Sequence, residues 1–372
     1  MSVSRKIDKR VRPVFIKQGI ILSFFWGLFG MLYIYIRYIG QTSEIRDTFP
    51  YVLPLNSSGL LLVGFSTGFL IGLFLALINV YSGHYLSKLS VWQGIIFNLA
   101  MVFVVSLFCI GSILLIALLL KGFEFTTVWS ITISVILSHH LLSIFAFMLP
   151  LGALFNLARE ISLRLGPNHF WKILSGSYRK PIEENRVFLF VDLASSTSIA
   201  EHLSHIRYSE LIQDCFEELS LIALEFNGSI YQFVGDEAVI TWSLEKDQKA
   251  RNKAVKLFFA FRKALENNTC YFSEKYNVQP VFRGAVHSGM VTIAEIGVFK
   301  KEIAYHGDVL NTTARLMQIS KENNNKLAMT TIVMNGLPEC SKSEFLGEYV
   351  LRGKNSKVTV YLLKESSEAA PQ

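Results

Sequence analysis

The chain has 372 residues, 51% of them hydrophobic, with a mean hydropathy of +0.38 and a formal net charge of +7. A wholly water-exposed enzyme rarely scores so high, and the apolar residues concentrate before about residue 158, so a membrane part followed by a globular part is expected. The basic surplus does not point to nucleic acid, because its two densest clusters, residues 1–17 and 159–180, flank apolar segments rather than forming an arginine-rich or aromatic-interleaved motif. Cys109, Cys215, Cys270 and Cys340 are scattered with no Cys-x-x-Cys pair, which argues against a zinc site or a disulfide framework and suits a reducing cytosol.

In chain order, Gln18–Ile36 is an uncharged run of 19 residues between Lys17 and Arg37, long enough to cross about 30 Å of hydrocarbon as a helix. It exceeds the apolar core of a secretory signal, and no small-x-small cleavage site follows, so it reads as a retained anchor. Further charge-free runs cover about 57–82, 91–120 and 126–158, with Pro150 placed to kink the last. The sequence thus predicts a four-span helical domain over 1–158 in the bilayer. Of the Lys and Arg residues outside the spans, six in 1–17, one in 83–90 and five in 159–180 fall on one side. Only two in 37–57 and one in 121–125 fall on the other, which predicts both termini in the cytoplasm and a multi-pass protein of the cell membrane. His139 and His140 form an ionisable pair at depth; with no matching histidine in the third span, they read as a packed pair rather than as haem ligands or proton sensors.

Residues 159–182 read as a juxtamembrane linker. A helical pattern breaks at Gly166-Pro167, and the aromatic-basic Phe170-Trp171-Lys172 suits a membrane interface. Then comes a globular domain, 183–363, and a tail over 364–372 expected to be disordered.

Val187–Val191 is a continuous apolar run, read as a central strand ending at Asp192. A capped helix start follows at 197–201, then an amphipathic helix over Ile206–Phe226 stopped by Asn227-Gly228. Two apolar runs around Gly235-Asp236-Glu237 predict a hairpin with acids at its tip. A helix over Asp247–Glu266, two strands joined around Gly289, and a helix over Gly307–Ser320 complete the order strand–helix–strand–strand–helix–strand, an α+β, ferredoxin-like core with additions.

Asp192 ends one strand and Asp236 sits in a hairpin. Taken singly, each is more simply a cap or a turn residue. If their strands are neighbours, the two carboxylates face one point, and a magnesium ion asks for no more than that, filling its other positions with water and phosphate oxygens. Asn311 and Arg315 stand at i and i+4 of one helix, an amide and a guanidinium suited to a ribose and a phosphoryl group in transfer.

These segments resemble the class III nucleotide cyclases over roughly residues 183–363. Four motifs in the family's order carry the resemblance: Phe190-Val-Asp192-Leu-Ala-Ser-Ser-Thr197, Phe233-Val-Gly-Asp236-Glu237, Arg283-Gly-Ala-Val-His-Ser-Gly289 and Gly307-Asp-Val-Leu-Asn311-Thr-Thr-Ala-Arg315. The resemblance implies two Mg²⁺ or Mn²⁺ ions per site on Asp192 and Asp236, helped by the Leu193 carbonyl. It also implies that Asn311 orients the ribose and Arg315 stabilises the transition state. It further implies a homodimer, since one chain supplies the acids and its partner the Asn and Arg. The expected reaction turns ATP into 3′,5′-cyclic AMP and pyrophosphate.

The chain departs from the family where the purine is read. Gln232 stands where adenylate cyclases usually carry Lys, and Ala304 where they carry Asp or Thr, and neither matches the guanylate cyclase pattern of Glu and Cys. ATP is the expected substrate, with GTP or relaxed specificity as the alternative. Arg352 stands where a lysine to the triphosphate is expected. A non-catalytic sensor with a degenerate domain is disfavoured because Asp192, Asp236, Asn311 and Arg315 are all present. A diguanylate cyclase would need a Gly-Gly-Asp/Glu-Glu-Phe signature that Val234-Gly-Asp-Glu-Ala238 does not give.

Overall fold

The computed structural model describes residues 12–39, 57–86, 90–120, 122–136, 139–165, 175–324, 326–338, 343–350 and 357–363. The chain divides into two compact units, with a chain boundary between Leu165 and Gly166.

The first unit is helical: α1 (Arg12–Ile39), α2 (Ser57–Leu86), α3 (Val91–Leu120), α4 (Phe125–Ile136) and α5 (His139–Leu165). Three of these contain stretches long and apolar enough to cross a membrane, Gly19–Ile36, Leu61–Asn79 and Trp92–Ile113, and a shorter apolar stretch covers Leu142–Ala158. Their outward side chains are themselves large and apolar, Phe24, Leu62 and Phe108 among them, a surface that water would not tolerate over such lengths. Small residues bring α1 and α2 together: a Cβ on Gly30 would lie 2.2 Å from the Gly64 carbonyl oxygen, and one on Gly68 2.1 Å from that of Trp26. Close backbone approach of this kind is how helices associate where no hydrophobic force separates them from lipid.

The fourth apolar run, expected as one span over 126–158, differs in form. It comes as α4 and α5 on either side of residues 137–138, which lie outside the described residues. Pro150 sits inside α5 rather than ending it. The side chains of His139 and His140 also lie outside the described residues, as do residues 166–174 of the linker and 364–372 of the tail.

The second unit is a sheet with helices on both faces. Its elements are β1 (Ile182–Leu193), α6 (Ser196–His202), α7 (His205–Glu225), β2 (Ser229–Val234), β3 (Glu237–Ser243), α8 (Ala250–Asn267), α9 (Thr269–Tyr276), β4 (Phe282–Ile296), β5 (Glu302–His306), α10 (Asp308–Glu322), β6 (Leu327–Thr330), α11 (Thr331–Met334), β7 (Ser343–Tyr349) and β8 (Val358–Leu363). The strand order is β2-β3-β1-β4-β6-β8-β7, with β5 paired to the far end of β4. Its first four strands are antiparallel throughout, the split arrangement of a ferredoxin-like core.

β1 reads as an unbroken apolar run because both its faces are covered. Val187, Leu189, Val191 and Leu193 enter one core with α7 and α8, while Phe188 and Phe190 enter a second core with α10. The stop at Asn227-Gly228 is as expected: Asn227 takes a left-handed φ of 55°, and the Gly228 N–H returns to the Ala223 carbonyl at 2.7 Å.

Gly289 was expected between two strands, but β4 runs through it for 15 residues, with Gly289 paired to Arg186. A Cβ there would meet Val309 at 2.9 Å, so the glycine serves the close seating of α10 on the strand and not a turn.

Candidate functional site

Strand register assembles the acidic end. At the last turn of the β1 ladder Asp192 pairs with Glu237 of β3 on one side and with Arg283 of β4 on the other. Gly235 and Asp236 form the two-residue turn between β2 and β3, and Gly235 takes a φ of 61° that a side chain would resist. The Leu193 N–H donates to the Asp236 carbonyl at 3.4 Å, which ties the turn to the end of β1. The Leu193 side chain is buried in the core, so its contribution to a site is through backbone alone.

The electrostatics of this end are crowded. The Arg283 Nε donates to Asp192 Oδ2 at 2.8 Å, and the guanidinium forms an ion pair with the same carboxylate, both side chains about 15% exposed. Burial nevertheless pushes the Asp192 carboxyl above its ordinary value, against the pull of Arg283 and with the push of the neighbouring Asp236 charge. Glu237 is pushed up to about 7 by burial and then by the charges of Asp192 and Asp236. The Tyr208 hydroxyl of α7 is raised first by burial and then by the charges of the same two aspartates.

Among the described residues no three His, Cys, Asp or Glu side chains converge as a metal cluster. The donor set is instead two half-buried carboxylates whose mutual repulsion a divalent cation would relieve, and two is the number that leaves room for water and phosphate on magnesium or manganese. The residues fit such an ion.

Asn311 and Arg315 lie elsewhere. Gly307 caps helix α10 against Met290 and Val291 of β4, and the helix buries Val309, Thr312, Thr313, Leu316 and Met317. Asn311 is exposed and Arg315 half-buried on the opposite stripe. Seven residues of extended strand separate Met290 from Arg283, ~23 Å at about 3.3 Å each. Asn311 and Arg315 thus sit outward on a helix that opens at the opposite end of β4 from Arg283.

The two positions where the sequence leads one to expect the purine to be read come closer together than strand order suggests. Gln232 is exposed on the edge strand β2, opposite Val239, and Ala304 is buried on β5, opposite Ala294. Their neighbours Tyr231 and Tyr305 meet edge-to-face at 4.7 Å, because the far end of β4 carries β5 back over the sheet. Arg352 lies outside the described residues.

Sequence reasoning left Arg283 and Tyr208 without roles. Arg283 stood in a quoted motif, but only the β1–β4 register places it opposite Asp192. Tyr208 carries no spacing signal, since it arrives from a helix whose packing on the sheet is a tertiary matter.

Residues 179–365 match the family described as the adenylate and guanylate cyclase catalytic domain, half of the chain, and the chain belongs to that family. It carries a nucleotide cyclase domain, with adenylate cyclase the favoured kind. The chain is 37% identical over 205 residues to Adenylate cyclase 2 of Rhizobium meliloti (strain 1021), a match covering 55% of this chain and 56% of that protein. The chain therefore spans a little over half the length of that relative. Among solved structures, it is similar to a bacterial light-regulated adenylyl cyclase, with a TM-score of 0.50, 16% identity, and coverage of 57% of this chain and 64% of that one. It is also similar to the adenylyl cyclase CyaB from P. aeruginosa, with a TM-score of 0.47, 18% identity, and coverage of 52% and 100%. At 16% identity the likeness to the light-regulated cyclase speaks to the fold alone.

Proposed function

We propose that the protein is a membrane-anchored adenylate cyclase that converts ATP to 3′,5′-cyclic AMP and pyrophosphate at sites shared between two copies of the chain. The observation that carries this reading is the pair of crowded aspartates at the end of β1 together with an outward-facing Asn311 and Arg315 on a helix that opens at the opposite end of β4. In a twofold dimer the acids of one copy meet the helix of its partner, twice. The 37% identical relative called an adenylate cyclase supports the choice of ATP.

In this reading Asp192, Asp236 and the Leu193 carbonyl hold two Mg²⁺ or Mn²⁺ ions, which when bound would activate the ribose 3′-oxygen and neutralise charge on the leaving pyrophosphate. Arg283 keeps a fixed positive charge beside the two aspartates. Asn311 orients the ribose by its amide, and Arg315 spreads a guanidinium over the α-phosphoryl group as the 3′-oxygen bonds to phosphorus and the bond to the bridging oxygen breaks. Gln232 reads the purine edge through either end of its amide, and Ala304 supplies shape only.

The chain crosses the bilayer four times in this proposal. The three long apolar helices make three of the crossings, and α5, about 40 Å long at 1.5 Å per residue, makes the fourth. The charge bias puts the catalytic domain in the cytoplasm.

The test is product analysis of the full-length chain in detergent with Mn²⁺ and either ATP or GTP. Cyclic AMP in excess over cyclic GMP is expected. A folded, dimeric protein that forms neither product would refute the enzyme reading, and a GTP preference would replace the substrate while leaving the rest intact.

A further inference from the structure

Glu184 and Arg186 are buried charges that the proposed reaction does not use, 8% and 4% exposed on the β1 face that also carries Phe188. A buried ion pair seldom stabilises a fold better than apolar residues of the same volume, so its retention asks what else it fixes. Arg186 Nη1 donates to Glu184 Oε2 at 2.6 Å and Nε to Thr241 Oγ1 at 3.0 Å, and the Thr241 hydroxyl donates onward to the Val187 carbonyl at 2.9 Å. The guanidinium therefore has its orientation set by β1 and β3 together. Its plane lies over the ring of Tyr305, 5.1 Å from the centroid. Tyr305 meets Phe188 edge-on at 5.4 Å and Tyr231 at 4.7 Å.

The two tyrosines gripped this way adjoin the two purine positions, Tyr231 next to Gln232 and Tyr305 next to Ala304. Strand β5 has five residues, all laddered to β4, its one strand partner among the described residues. The contacts of Tyr305 add to that ladder a hold on β1 and β2.

We propose that Arg186 is a positioning residue for purine recognition: held by Glu184 and Thr241, it clamps Tyr305, and through Tyr305 and Tyr231 it aligns strands β5 and β2 on one base. The inference deepens the cyclase reading and rests on it. It also gives the segment before β1 a grip on the purine end, because the Tyr178 hydroxyl donates to Glu184 at 3.3 Å and the Tyr178 carbonyl accepts from the Glu295 N–H at 2.9 Å.

The experiment is steady-state kinetics of the full-length chain in detergent with Mn²⁺, using ATP and GTP separately. Tyr305→Leu removes the face beneath the guanidinium but leaves the buried ion pair intact. Arg186→Lys keeps the charge but loses the planar fork, and Tyr305→Phe keeps the ring as the rescuing variant. Since small misplacements of a recognition surface are expensive, Tyr305→Leu and Arg186→Lys should each raise KM for ATP about fivefold or more and move the ATP-to-GTP ratio at least about threefold, with kcat within about twofold. Tyr305→Phe should match the parent. A purely structural clamp would lower the active fraction and leave KM and the nucleotide ratio unmoved, and that result in an active enzyme overturns this proposal alone. A folded parent chain inactive on both nucleotides overturns it together with the cyclase reading.

Discussion

At one end of the catalytic sheet Asp192, Asp236, Glu237 and Arg283 crowd together half-buried, their charges strained against each other. On α10, which opens at the opposite end of β4, Asn311 and Arg315 ride the outward stripe. In the proposed reading a divalent cation would relieve the first arrangement and a nucleotide would engage the second. The contrast teaches why that reading completes each set of residues from a second copy of the chain.

The largest expected effect comes from breaking the acid end. Asp192→Ala should lower cyclase activity by about 10³-fold or more, since it removes a ligand to the charge-neutralising ions. Raising the Mn²⁺ concentration should not restore it. Breaking the helix end, Arg315→Ala should lower kcat by about 10²- to 10³-fold while KM for ATP changes little, the pattern of a group that acts in the transition state. A KM effect of the same size would instead assign Arg315 to ground-state binding and blur the distinction between the two ends.

A smaller effect belongs to neither end. Asp214 accepts from the hydroxyls of Tyr271 at 2.7 Å and Tyr276 at 2.6 Å and from Lys275 Nζ at 2.8 Å, tying α9 to α7. Burial alone would raise this carboxyl, but those three donors hold it below its ordinary value. Its contribution is therefore present above the usual carboxyl pKa and lost as pH falls through the lowered one. Asp214→Ala should cost about 2–3 kcal/mol of stability, seen as a lower unfolding temperature, with KM unchanged.

The smallest effect sharpens the account of the acid end. Glu237 binds its proton more tightly folded than unfolded, so in chelator the domain should lose stability as pH rises from about 4.5 through about 7. The loss should be on the order of 2 kcal/mol once solvent screening is allowed for. Glu237→Gln should flatten that slope, and so should added Mn²⁺. A slope unaffected by either would mean that the crowding of charge is already relieved without a cation.

Much of this was legible in the chain. The run Val187–Val191 announced a strand covered on both faces, and Gly235-Asp236 announced a two-residue turn, because local patterns of that strength are set by burial and by backbone sterics. Gly289 misled, since a glycine required by the approach of Val309 from a distant helix looks the same in sequence as one required by a turn. The fourth apolar run is charge-free from end to end, and hydropathy does not mark where α4 gives way to α5. Arg283, Tyr208 and the clamp on Tyr305 depend on strand register and on β5 folding back over the sheet, long-range facts that no local window holds. Asn311 and Arg315 were singled out by their spacing, but the point on β4 where their helix opens emerged only with the fold.

The shared site is the central claim, and subunit mixing tests it most directly. Asp192→Ala and Arg315→Ala chains, each inactive alone, are combined under conditions where differently tagged subunits are shown to exchange. Random reassortment makes about half of the dimers mixed, each with one intact site of two, so about a quarter of the parent activity should return. Demonstrated exchange with no recovery of cyclase activity would contradict the account.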